Sequence, residues 1–284
     1  MRIVVASGKG GTGKTTVATS LAYTASRNGS THFLDCDVEA PNAALFLKPR
    51  FDERKEVGIL IPQIDENACT FCGKCAEVCQ FHAIAVIGKK TLVFSELCHG
   101  CGSCTLVCPE NAISEHLDVM GVLESGFTNE GIEFAHGIMN VGEPMAVPII
   151  RDLKNLPSRK PSDIDIIDSP PGASCPVVES IRGADFALLV TEPTPFGLHD
   201  LKQVVAISHE LKIPIGIIIN RDGIGDNAVE KYCGENDLPI LMRIPMERRI
   251  AETIASGSIL VEVFPEFEQP FLNLLASITS MAAA

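Results

Sequence analysis

The stretch "MRIVVASGKGGTGKTT", residues 1–16, joins an apolar segment to a glycine-rich turn that contains lysines and two consecutive threonines. The apolar part, residues 2–7, has the composition of a buried parallel strand, and beyond the turn Val17, Leu21 and Ala25 recur at helical spacing. Strand, glycine-rich loop and helix in this order form a phosphate-binding unit, because backbone N–H groups in such a loop surround phosphate oxygens. The stretch therefore predicts an α/β fold with a nucleotide site.

The loop from Gly8 to Thr15 matches G-x-x-x-x-G-K-[ST]. In this pattern Lys14 places a cation on the β- and γ-phosphates, and the Thr15 hydroxyl binds Mg²⁺. A glycine-rich turn without a ligand is the alternative, but the position between a strand and a helix favours the phosphate site. The residues expected to bind nucleotide here are Gly8, Lys9, Gly10, Gly11, Thr12, Gly13, Lys14, Thr15 and Thr16.

The rest of the chain alternates apolar strands with helical patterns, which is typical of a mostly parallel sheet with helices on both faces. The alternation stops near residue 58 and resumes near residue 146. We therefore expect a discontinuous α/β domain, residues 1–58 and 117–284, with residues 59–116 inserted and residues 117–146 forming a hairpin connection. The later strands are "THFLDCD" (31–37), "DIDIIDSPPG" (163–172), "FALLVTEP" (186–193), "IGIIIN" (215–220) and "PILMRIP" (239–245).

The composition, 46% hydrophobic and 21% charged over 284 residues, is that of a globular protein. A formal net charge of −13 argues against a nucleic-acid surface and favours proteins or small molecules as partners. No basic leader precedes the first strand and no run of about 20 apolar residues occurs, so we expect a cytoplasmic protein without stable membrane insertion.

Eight of the eleven cysteines form two runs with C-x₂-C-x₂-C-x₃-C spacing. The spacing resembles that of bacterial two-cluster ferredoxins, in which the fourth cysteine of each run binds the other cluster. Two [4Fe–4S] clusters are therefore expected, and such free thiolates indicate a reducing compartment. One cluster would be held by Cys69, Cys72, Cys75 and Cys108, and the other by Cys98, Cys101, Cys104 and Cys79.

Structural zinc is the alternative for these runs, although its usual C-x₂-C pairs lack a third cysteine two residues on. The first run departs from the ferredoxin pattern, because Gln80 stands where Pro109 follows the second run. His99 is interpreted as a solvated histidine or as a donor to a cluster sulfur.

The motif "KGGTGKTT" (9–16), with its additional Lys9, resembles the deviant Walker A loop of the MinD/ParA family, which includes the nitrogenase iron protein and Mrp-type carriers. The resemblance implies that Lys9 reaches the partner's nucleotide in an ATP-dependent homodimer and that Asp37 orients the attacking water. It also implies that Asp168, at the end of "DIDIID", binds Mg²⁺ together with Thr15 and Asp37. Lys9, Lys14, Asp37 and Asp168 are the expected catalytic residues.

Weaker resemblances concern the base and a thiol. Asn220 and Arg221, which end "GIIINR", resemble the family's adenine-binding strand end, and Pro245 in "IPMERR" resembles its second base contact. For Asn220 an ordinary turn residue is the alternative. Cys175, seven residues after Asp168, resembles a cysteine that binds a bridging cluster in the nitrogenase iron protein; a buried or redox-sensitive thiol is the alternative.

The combination resembles MinD-type ATPases with an inserted ferredoxin domain. It implies an ATPase, slow or partner-stimulated, that couples dimer switching to electron transfer through two [4Fe–4S] clusters toward a redox partner. An Mrp-like iron–sulfur assembly carrier, with an acceptor protein as partner, is the alternative. A MinD-like positioning ATPase is the third hypothesis, which the lack of Lys and Arg in residues 250–284 disfavours.

Overall fold

A computed structural model describes residues 1–283, so that only the last residue of the predicted domain 117–284 lies outside the description. Its strands are β1 (Arg2–Ala6), β2 (Thr31–Asp35), β3 (Arg50–Ile64), β4 (Ile84–Ile87), β5 (Lys90–Val93), β6 (Ile113–Phe127), β7 (Glu133–Met139), β8 (Ile164–Asp168), β9 (Phe186–Thr191), β10 (Ile215–Asp222) and β11 (Ile240–Pro245).

Eleven α-helices are described within residues 1–283, together with short 3₁₀ turns at Ser95–Leu97 and Pro265–Phe267. The helices are α1 (Lys14–Ser26), α2 (Ala43–Leu47), α3 (Lys74–Val78), α4 (Ser103–Leu106), α5 (Val147–Lys154), α6 (Cys175–Ile181), α7 (Pro195–Glu210), α8 (Ala228–Glu235), α9 (Arg248–Ala255), α10 (Leu260–Val263) and α11 (Glu268–Ala282). None of these helices is long and apolar enough to cross a membrane.

Nine of the described strands form one sheet in the order β11-β10-β9-β1-β8-β2-β7-β6-β3. The pairings from β11 to β7 are parallel, and β6 and β3 add an antiparallel edge. The prediction of a mostly parallel α/β sheet is therefore confirmed. Because β1 lies between β8 and β9, the loop after β1 leaves the sheet at a topological switch point, where open α/β sheets bind ligands.

The core has two halves because successive side chains of a strand point to opposite faces. In β1, Ile3 and Val5 pack with α1 and α11 on one face, while Val4 and Ala6 pack with α6 and α7 on the other. All four residues are fully buried. Helices thus cover both faces, as the sequence predicts, and this burial on both sides explains why β1 is apolar throughout.

The strands β3 and β6 form a long antiparallel ribbon at the sheet edge. Their register extends from the Arg50–Phe127 pair to the Ile64–Ile113 pair, and residues 65–112, with all eight clustered cysteines, lie beyond its end. Residue 58 lies within β3 and residue 117 lies within β6, so neither strand ends where the sequence suggests a domain boundary. Those boundaries stay a prediction. Residues 128–132 connect β6 to β7, which pairs in parallel with β2.

Candidate functional site

The glycine-rich loop lies between β1 and the first turn of α1, as its motif requires. Gly11 and Gly13 have φ values of 79° and 87°, a left-handed conformation that favours glycine. The loop forms one wall of a cavity of about 470 Å³. Of the predicted nucleotide-binding residues, those lining this cavity are Lys9, Gly10, Gly11, Thr12, Gly13, Lys14, Thr15, Thr16, Asn220, Arg221 and Pro245, and Asp37 lines it too.

Asp168 lies beneath the loop and is fully buried at the end of β8. The Lys14 ammonium is 3.0 Å from Asp168 Oδ1, and the Thr15 hydroxyl donates to Oδ2 at 2.6 Å. Burial alone would lower the pKa of Lys14, but the charge and hydrogen bond of Asp168 outweigh it and the pKa is raised. The structure therefore brings together three of the four side chains that the sequence analysis assigned to phosphate and Mg²⁺, namely Lys14, Thr15 and Asp168.

Two more carboxyl groups flank this centre, at the end of β2 and just after it. Burial and then the charge of Asp168 raise the pKa of Asp35 to about 7. The Asp35 carboxylate accepts hydrogen bonds from the backbone N–H groups of Asp37, Asn42 and Ala43 at 3.0–3.2 Å, so it organises the loop between β2 and α2. Burial also raises the pKa of Asp37, whose half-buried side chain lines the cavity.

Asn220 and Arg221 bind the loop from the end of β10. The Asn220 amide donates to the Thr12 carbonyl at 2.7 Å, and its Oδ1 accepts from the Arg221 backbone at 2.9 Å. The Arg221 guanidinium donates to the Gly11 carbonyl at 2.8 Å. Both residues therefore brace the loop in this structure, while Pro245 lies on the cavity wall beside Met246. Their assignment to the adenine base stays a prediction.

Glu192, directly after β9, holds two cations at the edge of the cavity. Its carboxylate forms an ion pair with Lys9 through Oε1 and with Arg221 through Oε2, the latter at 2.9 Å. Only 7% of the Glu192 side chain is exposed, against 30% of the Lys9 side chain. Gly8, which does not line the cavity, packs against the backbone of Asp200 in α7. The first residues of the loop are thus fixed to the strand end at Glu192 and to α7.

The eight clustered cysteines surround two separate cavities at the end of the β3–β6 ribbon. The grouping coincides with the interleaved sets expected from the spacing, since Cys108 joins the first run and Cys79 the second. The first cavity is lined by Cys69, Cys72, Cys75 and Cys108, and the second by Cys79, Cys98, Cys101 and Cys104.

Backbone N–H groups are directed at the cysteine sulfurs in the same way in both runs. The first cysteines, Cys69 and Cys98, accept from the N–H two residues later at 3.4 Å. The fourth cysteines, Cys79 and Cys108, accept from the N–H four residues later at 3.3 Å. Such donors stabilise negative charge on sulfur, which thiolates and cluster sulfurs carry. Four cysteines and such donors have the chemistry that [4Fe–4S] ligation requires, and the clusters themselves stay a prediction.

Within residues 1–283, no three His, Cys, Asp or Glu side chains converge closely enough to hold a single metal ion, so the four cysteines around each cavity are not drawn together around one ion. The ring of His99 stacks on that of Phe81, with centroids 3.7 Å apart, at the wall of the second cavity. Cys175 is exposed at the start of α6, whereas Cys36 and Cys233 are buried. Burial raises the pKa of the Cys233 thiol to about 11.

Sequence reasoning left two residues of this site without a role. Asp35 lies within "THFLDCD", two residues before Asp37, and this position at a strand end is a usable signal. Glu192 lies within "FALLVTEP", but its contacts with Lys9 and Arg221 depend on three strand ends meeting. The cavity wall formed by Phe46 of α2 and by Ile250 and Ile254 of α9 carried no sequence signal, since these residues read as ordinary core positions.

Comparisons with known proteins agree with this geometry. The CobQ/CobB/MinD/ParA nucleotide binding domain matches residues 3–261. An uncharacterized protein of Methanocaldococcus jannaschii is 33% identical over 264 residues, which cover 90% of each chain. A cytosolic Fe-S cluster assembly factor NUBP2 homolog of Trichoplax adhaerens is 30% identical over 124 residues, 37% of this chain and 47% of that protein. The septum site-determining protein MinD from Pyrococcus horikoshii OT3, complexed with Mg-ADP, has a similar fold, with a TM-score of 0.58 and 21% identity over 98% of this chain and 95% of that chain.

Proposed function

Because this chain belongs to the CobQ/CobB/MinD/ParA family of nucleotide-binding domains, we propose that it is an ATPase in which nucleotide-driven dimerisation controls electron transfer through two [4Fe–4S] clusters. The observation that carries the proposal is that one sheet bears both a phosphate-loop cavity and, on its edge ribbon, two four-cysteine cavities. A family member that only bound nucleotide would have no use for the two four-cysteine cavities.

The phosphate loop supplies the nucleotide step. Lys14 and Thr15 are both engaged by Asp168 in this structure. With Mg-ATP bound, the Lys14 ammonium would contact the phosphates, and Thr15, Asp37 and Asp168 would hold the metal. Mg²⁺ supplies neutralisation of the charge that develops on the phosphoryl oxygens. Buried Thr12 Oγ1, which has no hydrogen-bond partner among the described residues, is a further polar group on the cavity wall.

The residues expected to make the reaction depend on a dimer are Lys9 and Asp37. Asp37 faces the cavity with a raised pKa, so a neighbouring Mg²⁺ would favour its ionised form and let it orient a water. Lys9 lies at the rim, with part of its side chain exposed, where it could reach a second subunit. Hydrolysis would be slow in the monomer because Lys9 is held by its own chain.

The cysteine-rich segment would supply the redox step. The bound clusters supply one-electron transfer. The chain's own contribution is to hold each cluster by four thiolates and to direct backbone N–H groups at the Cys69, Cys79, Cys98 and Cys108 sulfurs. Exposed Cys72 and Cys101 lie on the outer side of the two cavities, so both clusters would be open to a redox partner.

Helix α5 is the element through which the two sites would be coupled. It packs on β3, β6 and β7 on one side and on α6 on the other. Helix α6 directly follows residues 169–174, the loop after Asp168 that would respond to the γ-phosphate. A nucleotide shifts such an equilibrium only if it binds the two conformations with different affinity, and contacts to Asp37 and to this loop provide that difference.

The experiment that tests the proposal is an anaerobic redox titration of the reconstituted protein with EPR detection. It is performed without nucleotide, with Mg-ADP and with a non-hydrolysable ATP analogue. We expect the analogue to shift the cluster potentials or signals in the native chain. Lys14→Ala is the matched control, since it should bind no nucleotide, keep its iron and show no shift.

Two outcomes would count against the proposal. A native protein that binds the analogue without any change in potential or signal would show that the clusters are not coupled to the nucleotide. A Lys14→Ala protein that loses its iron would show that the two halves fold as one unit.

An iron–sulfur carrier is the second candidate, favoured by exposed Cys175 and by the partial similarity to a cluster assembly factor. In that case the iron content should exceed two cubanes per chain and fall on Cys175→Ala. Cys233→Ala, which removes a buried thiol from α8, is the control. Iron content unchanged by Cys175→Ala would reject a bridging cluster, and failure to transfer iron to an apo-acceptor would reject the carrier function.

A further inference from the structure

We propose that Glu192 is a positioning residue that retains Lys9 on its own subunit and thereby sets the nucleotide concentration at which the protein dimerises. This inference rests on the proposed function, because it concerns the step in which Lys9 leaves its subunit for the nucleotide of a second copy. The contact between Lys9 Nζ and Glu192 Oε1 is called the Lys9–Glu192 contact below.

Glu192 is held in place by its surroundings more firmly than Lys9 is. Its carboxylate also accepts from the Thr194 hydroxyl at 3.2 Å, and Thr194 itself begins α7 by accepting the Gly197 N–H at 3.0 Å. A Cβ atom at Gly197 would lie 2.2 Å from the Glu192 carbonyl oxygen, so the turn between β9 and α7 is closely packed. Lys9, in contrast, extends from the rim with a flexible side chain, so it is the partner that moves.

The charges around Glu192 limit the energy that is lost when Lys9 is released. Burial alone would raise the pKa of Glu192, yet its hydrogen bond to Lys9 and the charges of Lys9 and Arg221 lower it, so the carboxylate is ionised. When Lys9 leaves, Arg221 remains 2.9 Å from Oε2 and still neutralises the carboxylate. An unpaired buried carboxylate is therefore never formed, and the energy lost is that of one ion pair.

The Glu192 carboxylate also connects Lys9 to the backbone of the phosphate loop at Gly11. Arg221 donates a hydrogen bond from Nη1 to Glu192 Oε2 and another from Nη2 to the Gly11 carbonyl. Lys9 and the Gly11 carbonyl are therefore connected through Glu192 and Arg221. Glu192 itself touches neither phosphate nor metal in the proposed reaction. This arrangement assigns Glu192 a positioning role, while Lys9 stays the residue that contacts the nucleotide.

The test compares the dimerisation of the native chain and of Glu192→Gln during titration with a non-hydrolysable Mg-ATP analogue, using analytical ultracentrifugation. Neutralising the carboxylate weakens the Lys9–Glu192 contact only in the monomer. Two such contacts open per dimer, so the dimer dissociation constant should fall by about tenfold, which is about 0.7 kcal/mol for each contact. The affinity of the monomer for Mg-ADP, measured separately, should not change.

The matched control is Glu124→Gln, which neutralises a carboxylate that likewise holds two basic groups, Arg54 and His136, but on the edge ribbon. It should leave dimerisation unchanged. Glu192→Asp, which keeps the charge and shortens the side chain, gives a second measure if Glu192→Gln folds poorly, and an intermediate dissociation constant is expected.

The outcomes separate the inference from the proposed function. A native chain that binds the analogue but stays monomeric at every concentration would overturn ATP-driven dimerisation, and the inference with it. A native chain that dimerises while Glu192→Gln dimerises equally or less well would overturn the role of Glu192 alone. A reduced Mg-ADP affinity in Glu192→Gln would assign Glu192 to loop bracing instead.

Discussion

Asp35 has a fully buried carboxyl group and lies opposite Asp168 in the register of β2 and β8. Burial, and then the charge of Asp168, raise its pKa from an ordinary 3.8 to about 7. The folded protein therefore keeps a proton on this group over a pH range in which the unfolded chain has lost it. Asp35 and Asp168 lie side by side with one ammonium, that of Lys14, beside them. A divalent cation bound here would reduce the repulsion between the two carboxylates.

The pH dependence of stability should report this proton. Because the folded state binds more protons between pH 3.8 and about 7, the free energy of unfolding falls as the pH rises through this window. The stabilisation is fully present below the unfolded pKa and is lost above the folded one. Asp35→Asn has no such proton, so nucleotide-free native protein should lose stability relative to Asp35→Asn as the pH rises from 3.8 to about 7.

Urea unfolding at a series of pH values measures this difference. Taking the difference between the two proteins cancels the contributions of His32 and His136, whose pKa values burial lowers and which act in the opposite direction. Parallel stability curves for the two proteins would show that Asp35 is ionised throughout.

Asp37→Ala should separate nucleotide binding from hydrolysis. The substitution removes the carboxylate expected to orient water, while Lys14, Thr15 and Asp168 remain to bind Mg-ATP. We expect the hydrolysis rate to fall by about 10²-fold or more and the ATP-bound dimer to accumulate in size-exclusion chromatography. Glu39→Ala, which removes an exposed acid two residues away, is the control. Normal hydrolysis by Asp37→Ala would remove Asp37 from the reaction.

At the scale of single residues, the sequence predicts the contacts of residues that belong to a motif. The proximity of Lys14, Thr15 and Asp168 follows from parallel strands ending at one edge of the sheet, and so it could be inferred. The bracing of the loop by Asn220 and Arg221, and the pairing of Lys9 with Glu192, could not be inferred. They depend on side-chain rotamers where separate strands meet, and no local pattern records such contacts.

Among the elements, α5 is distinguished by a buried lysine at its last residue. Lys154 is 9% exposed, and its ammonium donates to the backbone carbonyls of Glu179, Ser180 and Arg182 at the end of α6. The last carbonyls of a helix have no partner within the helix, so a cation there satisfies them and interacts favourably with the helix dipole. Lys154 therefore joins α5 to the helix that follows the Asp168 loop.

Lys154→Met should lower the free energy of unfolding by about 1–3 kcal/mol, because it leaves three buried carbonyls without this donor. Arg151→Met, which breaks the more exposed ion pair of Arg151 with Glu179 between the same helices, should cost less than about 1 kcal/mol. Guanidinium unfolding of the two variants measures both values. Equal losses would mean that packing of α5, and not the Lys154 ammonium, holds α6.

The edge strand β3 is the element that sequence patterns did not predict. Its first half, "RFDERKE" (50–56), is exposed throughout and charged except at Phe51, and it resembles a loop more than a strand. Charged residues are usual on an edge strand, where they discourage pairing with another chain. Residues 57–64 alternate only partly between buried and exposed positions. The ladder with β6 forms because tertiary pairing outweighs local propensity.

For the whole molecule, the structure contains two cores of very different size. The sheet domain has an extensive core on both faces, whereas the cysteine-rich part has a small cluster of three buried residues, Ile84, Cys104 and Ile113. A core of that size cannot offset the entropy of ordering residues 65–112, so their order should depend on the bound clusters.

Removal of iron by a chelator should therefore loosen only one part of the chain. We expect amide hydrogen exchange to accelerate in residues 65–112, while the loop at Gly8–Thr15 stays protected by Mg-ADP. The sequence predicts this division into two chemistries, because the motifs are separate in the chain. Exchange that accelerates equally across both parts would show that the cysteine-rich segment is integral to the sheet domain.

The register of the edge ribbon also makes the molecule modular. Ile64 and Ile113 lie opposite each other where the chain leaves and re-enters the sheet. Opposite residues in an antiparallel pair have Cα atoms about 5 Å apart, a gap that an Asn-Gly hairpin turn spans. Residues 65–112 are therefore a cassette: excising them at this pair and closing the ribbon with such a turn leaves β3 and β6 in register. The same junction is a graft point at which a different module could be installed on the nucleotide-binding domain.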